Sequence, residues 1–196
     1  MLNARGKKSQ AMYSDNEVDK FKNLKKLFDE AEFLEKELEI ESSAYFQPSV
    51  NELRYAARHL LNYIVNKKDA DYDEAKVHIL RAIYDARDML LLLYYEKINV
   101  FEKVYRSVSI SSSITNWVQI RARLNKIKML SADPEFKNNN REEFDKTYNE
   151  VKDIWTLIDA AIPELDKQLN SSRKNTIITI ISVTVAIVSA IIAFLK

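Results

Sequence analysis

The sequence predicts an all-α protein: an elongated bundle of about five helices with one C-terminal transmembrane helix. Three observations carry that expectation. The 196 residues include one glycine and three prolines, too few for the turns that sheets require. Apolar residues recur at spacings of three and four along most of the chain, the period of a helix buried on one side. Finally, Thr176 to Leu195 is a run of twenty residues without a charge. At about 1.5 Å per residue such a helix reaches about 30 Å, the thickness of a bilayer's hydrocarbon core.

Composition removes several function classes. Lys and Arg total 30 against 29 Asp and Glu, a net charge of +1, so overall charge selects no nucleic acid or acidic partner. No cysteine is present, which excludes disulfides, thiol catalysis and thiolate metal sites. Met1 to Ser14 is polar and has no apolar stretch of the kind a secretion signal needs. No cofactor is implied, and no metal.

Residues 1–13 read as a flexible tail and residues 14–170 as a cytosolic helical bundle. Ser14 with Glu17 forms a capping box, opening a helix to about Glu41 with Phe21, Leu24, Phe28 and Ala31 inward. After a break at Ser42 to Pro48, Ser49 and Glu52 make a second capping box. The helix they open runs to about Lys67, its seam Val50, Leu53, Ala57, Leu60 and Ile64. A long third helix, about Asp73 to Val108, carries Val77, Leu80, Tyr84, Arg87, Leu91, Tyr94, Ile98, Phe101, Tyr105 and Val108 on one stripe. Arg87 alone interrupts that stripe, and either pairs with a carboxylate in the core or carries its charge out to solvent along its stem. Ser107 to Ser113 breaks the chain again. A fourth helix over about Thr115 to Leu130 faces inward through Trp117, Ile120, Leu124 and Ile127. Ala132 to Asn140 is a loop. The fifth helix repeats a heptad of Phe144, Tyr148, Val151, Trp155, Ile158, Ile162, Leu165 and Leu169, with Pro163 expected to kink it.

Residues 171–196 form the anchor. Arg173 and Lys174 stand immediately before its uncharged run, which places the N-terminal part in the cytoplasm and makes the chain a single-pass, tail-anchored protein with the lipid bilayer as a partner. One seam of the anchor holds Asn175, Thr179, Ser182, Ala186, Ser189 and Ala193. Lipid supplies no hydrophobic force between helices, so small and hydroxyl side chains in such a row favour self-association into a homo-oligomer. The alternative is that small residues are simply common in membrane helices. On the fourth helix Arg121, Arg123, Lys126 and Lys128 form a basic face that suits RNA or anionic headgroups, or is an ordinary solvated face. His78 shares a helix face with Glu74 but has no second histidine in reach along the sequence, which makes a poor metal site.

The segment Arg54-Tyr55-Ala56-Ala57-Arg58-His59 fits an Arg-x4–6-His pattern. Arginine can hold a phosphate, and an imidazole can move a proton at a ribose 2′-hydroxyl. Facing away from the apolar seam, His59 reads as exposed or covered only by a partner subunit, and a plain surface histidine is the alternative. The pattern resembles that of HEPN domains, all-helical modules that include metal-independent ribonucleases whose paired motifs meet across a dimer. A HEPN-like module on one membrane helix is similar to membrane-anchored accessory and effector proteins of bacterial antiviral, CRISPR-type systems. That resemblance implies a bacterial inner-membrane effector that oligomerises and disrupts or permeabilises the membrane. It equally allows a membrane-tethered endoribonuclease with Arg54 and His59 catalytic. A helical scaffold tethering an unidentified protein partner to the membrane is a third reading.

Overall fold

The computed structural model describes residues 14–43, 46–133, 135–136 and 141–194, with side chains to Ser172 and at Lys174 and Thr179. The protein is all-α, with no strand among these residues. Its long helices are α1 (Asp15–Ser42), α2 (Gln47–Asn66), α3 (Asp69–Val104), α4 (Trp117–Ser131) and α5 (Arg141–Phe194), with a 3-10 turn at Ile110–Ser112.

The helix ends follow from local chemistry. Ser14 and Glu17 close the expected capping box, the Glu17 N–H donating to Ser14 Oγ (3.3 Å) and the Ser14 N–H to Glu17 Oε2 (3.0 Å). α1 ends at Ser43 and α2 at Lys67, both at positive φ (53° and 55°), and Asn116 before α4 stands at 61°. Glycine usually fills such left-handed positions, and a β-carbon there costs about 1–2 kcal/mol. Among the described residues three non-glycines take that conformation, Asn116 being of a type that tolerates it.

The second capping box does not form. α2 begins two residues before Ser49, with Pro48 in its first turn, where a missing N–H is harmless. Ser49 is instead fully buried, its hydroxyl donating to the Glu35 carboxylate of α1, and Glu52 turns to His78.

The chain divides into two compact units at Leu90/Leu91. In the first, α1 contributes Leu24, Ala31, Leu34 and Leu38, and α3 contributes Ala75, Ile79, Ala82, Ile83, Ala86 and Leu90. Three of those six α3 positions are alanines. The face of α2 turned inward is Ser49, Ala56 and Tyr63, not the apolar seam expected, of which Ala57 and Ile64 are exposed. Phe28 of α1 and Val77 of α3 are likewise exposed. At one end Lys20 pairs with Asp69 (2.6 Å), Lys67 with Glu17 (2.8 Å), and Phe21 meets Tyr63 edge-on. Arg87, mostly buried, pairs with Glu30 across the α1–α3 contact, one of the two outcomes open to it.

The second unit follows the expected stripes more closely. Leu91, Tyr94, Ile98 and Phe101 of α3 and Tyr105 just after it are buried, as are Trp117, Leu124 and Ile127 of α4. From α5 come Phe144, Tyr148, Val151, Ile158, Leu165 and Leu169. The Tyr105 hydroxyl donates to Asp166 Oδ1 (2.7 Å), and burial pushes its pKa up to about 12. α5 continues through Pro163 without ending.

Candidate functional site

In the first unit, facing stretches of α2 and α3 gather Glu52, His59, Asp71, Glu74 and His78. Both histidines of the chain are there. His59 on α2 and His78 on α3 stack with ring centroids 5.3 Å apart and planes 19° apart. Tyr55, one turn before His59, lies 5.5 Å from the His78 ring. His59 was expected on an outward face. It is about three-quarters covered within the single chain, and α3 rather than a partner subunit meets it. The reason is the rotation of α2: Ser49, Glu52, Ala56, His59 and Tyr63, at helical spacings of three and four, form the stripe turned toward its neighbours.

Each imidazole stands beside a carboxylate. His78 Nδ1 is 2.7 Å from Glu52 Oε2. A carboxylate that accepts from His78 takes the Nδ1 proton, and in the neutral ring that tautomer leaves the lone pair on Nε2. His59 Nδ1 is 3.6 Å from Asp71 Oδ1, beyond hydrogen-bonding distance, and is buried without a hydrogen-bond partner. Glu74 completes the group. One donor atom from each of His59, Glu74 and His78 lies within 4.8 Å of the other two. The expectation that no second histidine could join His78 and Glu74 is therefore corrected: the turn between α2 and α3 brings His59 to them.

Deeper in the same unit the polar character continues. Burial raises the pKa of Glu35, against the lowering hydrogen bond from Ser49 and with repulsion from Asp85. Burial also raises that of Asp85, helped by repulsion from Glu52 and Asp88 and opposed by Arg81.

Arg54 is placed differently. It is exposed, its Nη1 donating to Asn51 Oδ1 at 3.2 Å, and it stands about 140° around the helix from His59. The basic face of α4 is partly neutralised. Arg123 makes a two-pronged pair with Glu150 (2.7 and 2.9 Å) and Arg121 pairs with Glu102 (2.9 Å). Lys126 and Lys128 are exposed, the latter 5.8 Å from the Tyr95 ring centroid.

Among the residues searched, no helix is long and apolar enough to cross a membrane. The segment expected to do so has a helical backbone to Phe194. Of the anchor stripe only Thr179, exposed, has a described side chain; those of Asn175, Ser182, Ala186, Ser189 and Ala193 lie outside the described residues.

The chain matches no family model, no curated protein and no solved structure.

Proposed function

We propose that this chain is a membrane-anchored effector: residues 176–195 span the bilayer, the helices before them stay in the cytosol, and association along the small-residue stripe disturbs or permeates the membrane. The observation that carries this reading is the continuity of α5. A single helix of 54 residues, Arg141–Phe194, contains both the buried seam of the second unit and nearly all of the uncharged run. With no turn between seam and run, a rotation of one is transmitted to the other. Arg173 and Lys174 suit a cytosolic membrane edge, and the stripe offers the close backbone approach that helix association in lipid requires.

The experiment compares the full chain with a version ending at Asn170, each induced in a bacterial host. The full chain is expected to stay in the membrane pellet through an alkaline carbonate wash and to slow growth, while the shortened chain does neither. Full-length protein released by the wash, or toxicity kept without residues 171–196, overturns the reading. Membrane binding without any growth effect reduces it to a tether for another protein.

The stacked histidines favour a second reading, a membrane-tethered, metal-independent ribonuclease. Two imidazoles, one oriented by Glu52, suit proton transfer to and from a ribose 2′-hydroxyl. RNA decay on induction that disappears in His59→Ala supports it, and unchanged decay in that variant excludes it.

A further inference from the structure

The two imidazoles are arranged alike with respect to charge. Each has its Nδ1 side toward a carboxylate, Glu52 for His78 at 2.7 Å and Asp71 for His59 at 3.6 Å. A metal-bound histidine almost always gives its remote N–H to such an acceptor, which fixes the tautomer and strengthens the ligating nitrogen. Here that leaves Nε2 of both rings as donors, with Glu74 contributing a third donor on the same face of α3 as His78. His59 Nδ1 is buried without a hydrogen-bond partner, and that cost falls away once the Nδ1–H turns to Asp71.

We propose that His59, Glu74 and His78 bind one first-row divalent metal ion of the zinc class, clamping α2 to α3. Two imidazoles and one carboxylate suit Zn2+ and its neighbours rather than Mg2+ or Ca2+, which prefer all-oxygen shells. Zinc–nitrogen bonds of about 2.0–2.1 Å put tetrahedral donors about 3.4 Å apart. The three residues already offer donor atoms within 4.8 Å of one another, so the site calls for side-chain adjustment to reach that spacing. Glu52 and Asp71 add negative charge around the cation. Three protein ligands leave a fourth position for water, as in zinc sites that bind a substrate. The three ligands lie within residues 59–78, so the proposal is independent of the membrane reading; it replaces the metal-independent ribonuclease reading, which needs the same imidazoles free.

The test is a Co2+ titration of the untagged full-length protein in detergent, followed through the visible bands of tetrahedral Co2+ and then displaced with Zn2+. Saturation at one ion per chain is expected, with no competition from excess Mg2+. Glu74→Gln, at an exposed position that packing does not need, should weaken binding by about 10-fold or more with an unchanged melting temperature in the absence of metal. Glu52→Gln keeps an acceptor for His78 but loses the charge, and should weaken it by about 10–100-fold. His59→Ala should abolish the bands. Absence of saturable bands, or equal affinity in the parent and either Glu74→Gln or His59→Ala, overturns the proposal.

Discussion

Glu52 on α2 and His78 on α3 meet at 2.7 Å between Oε2 and Nδ1, with side chains only 21% and 14% exposed. Little water reaches the pair, so neither group finds an easy substitute when the other is removed. A double-mutant cycle of Glu52→Ala and His78→Ala should return a coupling energy of about 1 kcal/mol in urea unfolding. A coupling indistinguishable from zero would mean that the pair does not hold α2 on α3.

Asp85 gives the first unit a pH dependence of definite sign. Burial, then repulsion from Glu52 and Asp88, raises its pKa above 3.8. Between 3.8 and the raised value the folded state therefore holds a proton that the unfolded state has lost. The stability this contributes is complete below 3.8 and disappears as pH rises through the raised value, leaving the buried charge as a penalty at neutral pH. Asp85→Asn should raise the melting temperature at pH 7, and the gain should shrink as pH falls toward 3.8. Glu35, raised above 4.5 chiefly by burial, adds a parallel dependence over the adjoining window. A variant less stable than the parent at pH 7 would mean that the carboxylate makes a compensating bond there.

In the second unit adjacent residues of α5 have opposite fates: Ile158 is fully buried and Leu157 is 46% exposed. Ile158→Ala should cost about 2–5 kcal/mol and Leu157→Ala within about 0.5 kcal/mol. Both tryptophans of the chain, Trp117 and Trp155, belong to this unit, so their fluorescence during urea unfolding reads it directly. Equal losses would mean that the seam of α5 is rotated from where the structure puts it.

The same contrast between units explains what was legible beforehand. The α5 heptad was readable because large apolar residues fall on the face that is buried, from Phe144 through Leu169. α2 was not, because the stripe it turns inward carries Ser49, Glu52 and His59. Pattern reading counts those as surface residues, yet each is covered by a contact supplied from another helix: Glu35, His78, or the stacked His78 ring. Ala75, Ala82 and Ala86 were passed over on α3 for larger neighbours such as Val77, although the alanines are buried and Val77 is exposed. Of the metal-ligand trio, Glu74 and His78 declare themselves by sharing a face four residues apart. His59 joins only through the tertiary register of α2 on α3, for which the sequence carries no local signal.

The anchor stripe yields the prediction on which the effector reading turns. If residues 176–195 associate in lipid, the contact uses packing and hydroxyl hydrogen bonds, not hydrophobic burial. Leucine at Ser182, Ala186 and Ser189 would lengthen the helix separation along one face and remove two hydroxyls. At about 0.6 kcal/mol for each polar contact in a membrane, loss of the two serines alone weakens association about tenfold, before any steric term. The triple variant remains apolar, so it should insert as well as the parent while losing self-association in a membrane two-hybrid assay. Growth inhibition should fall in parallel. If insertion and association are both retained, the stripe is not the contact, and the bilayer effect must come from elsewhere in the chain.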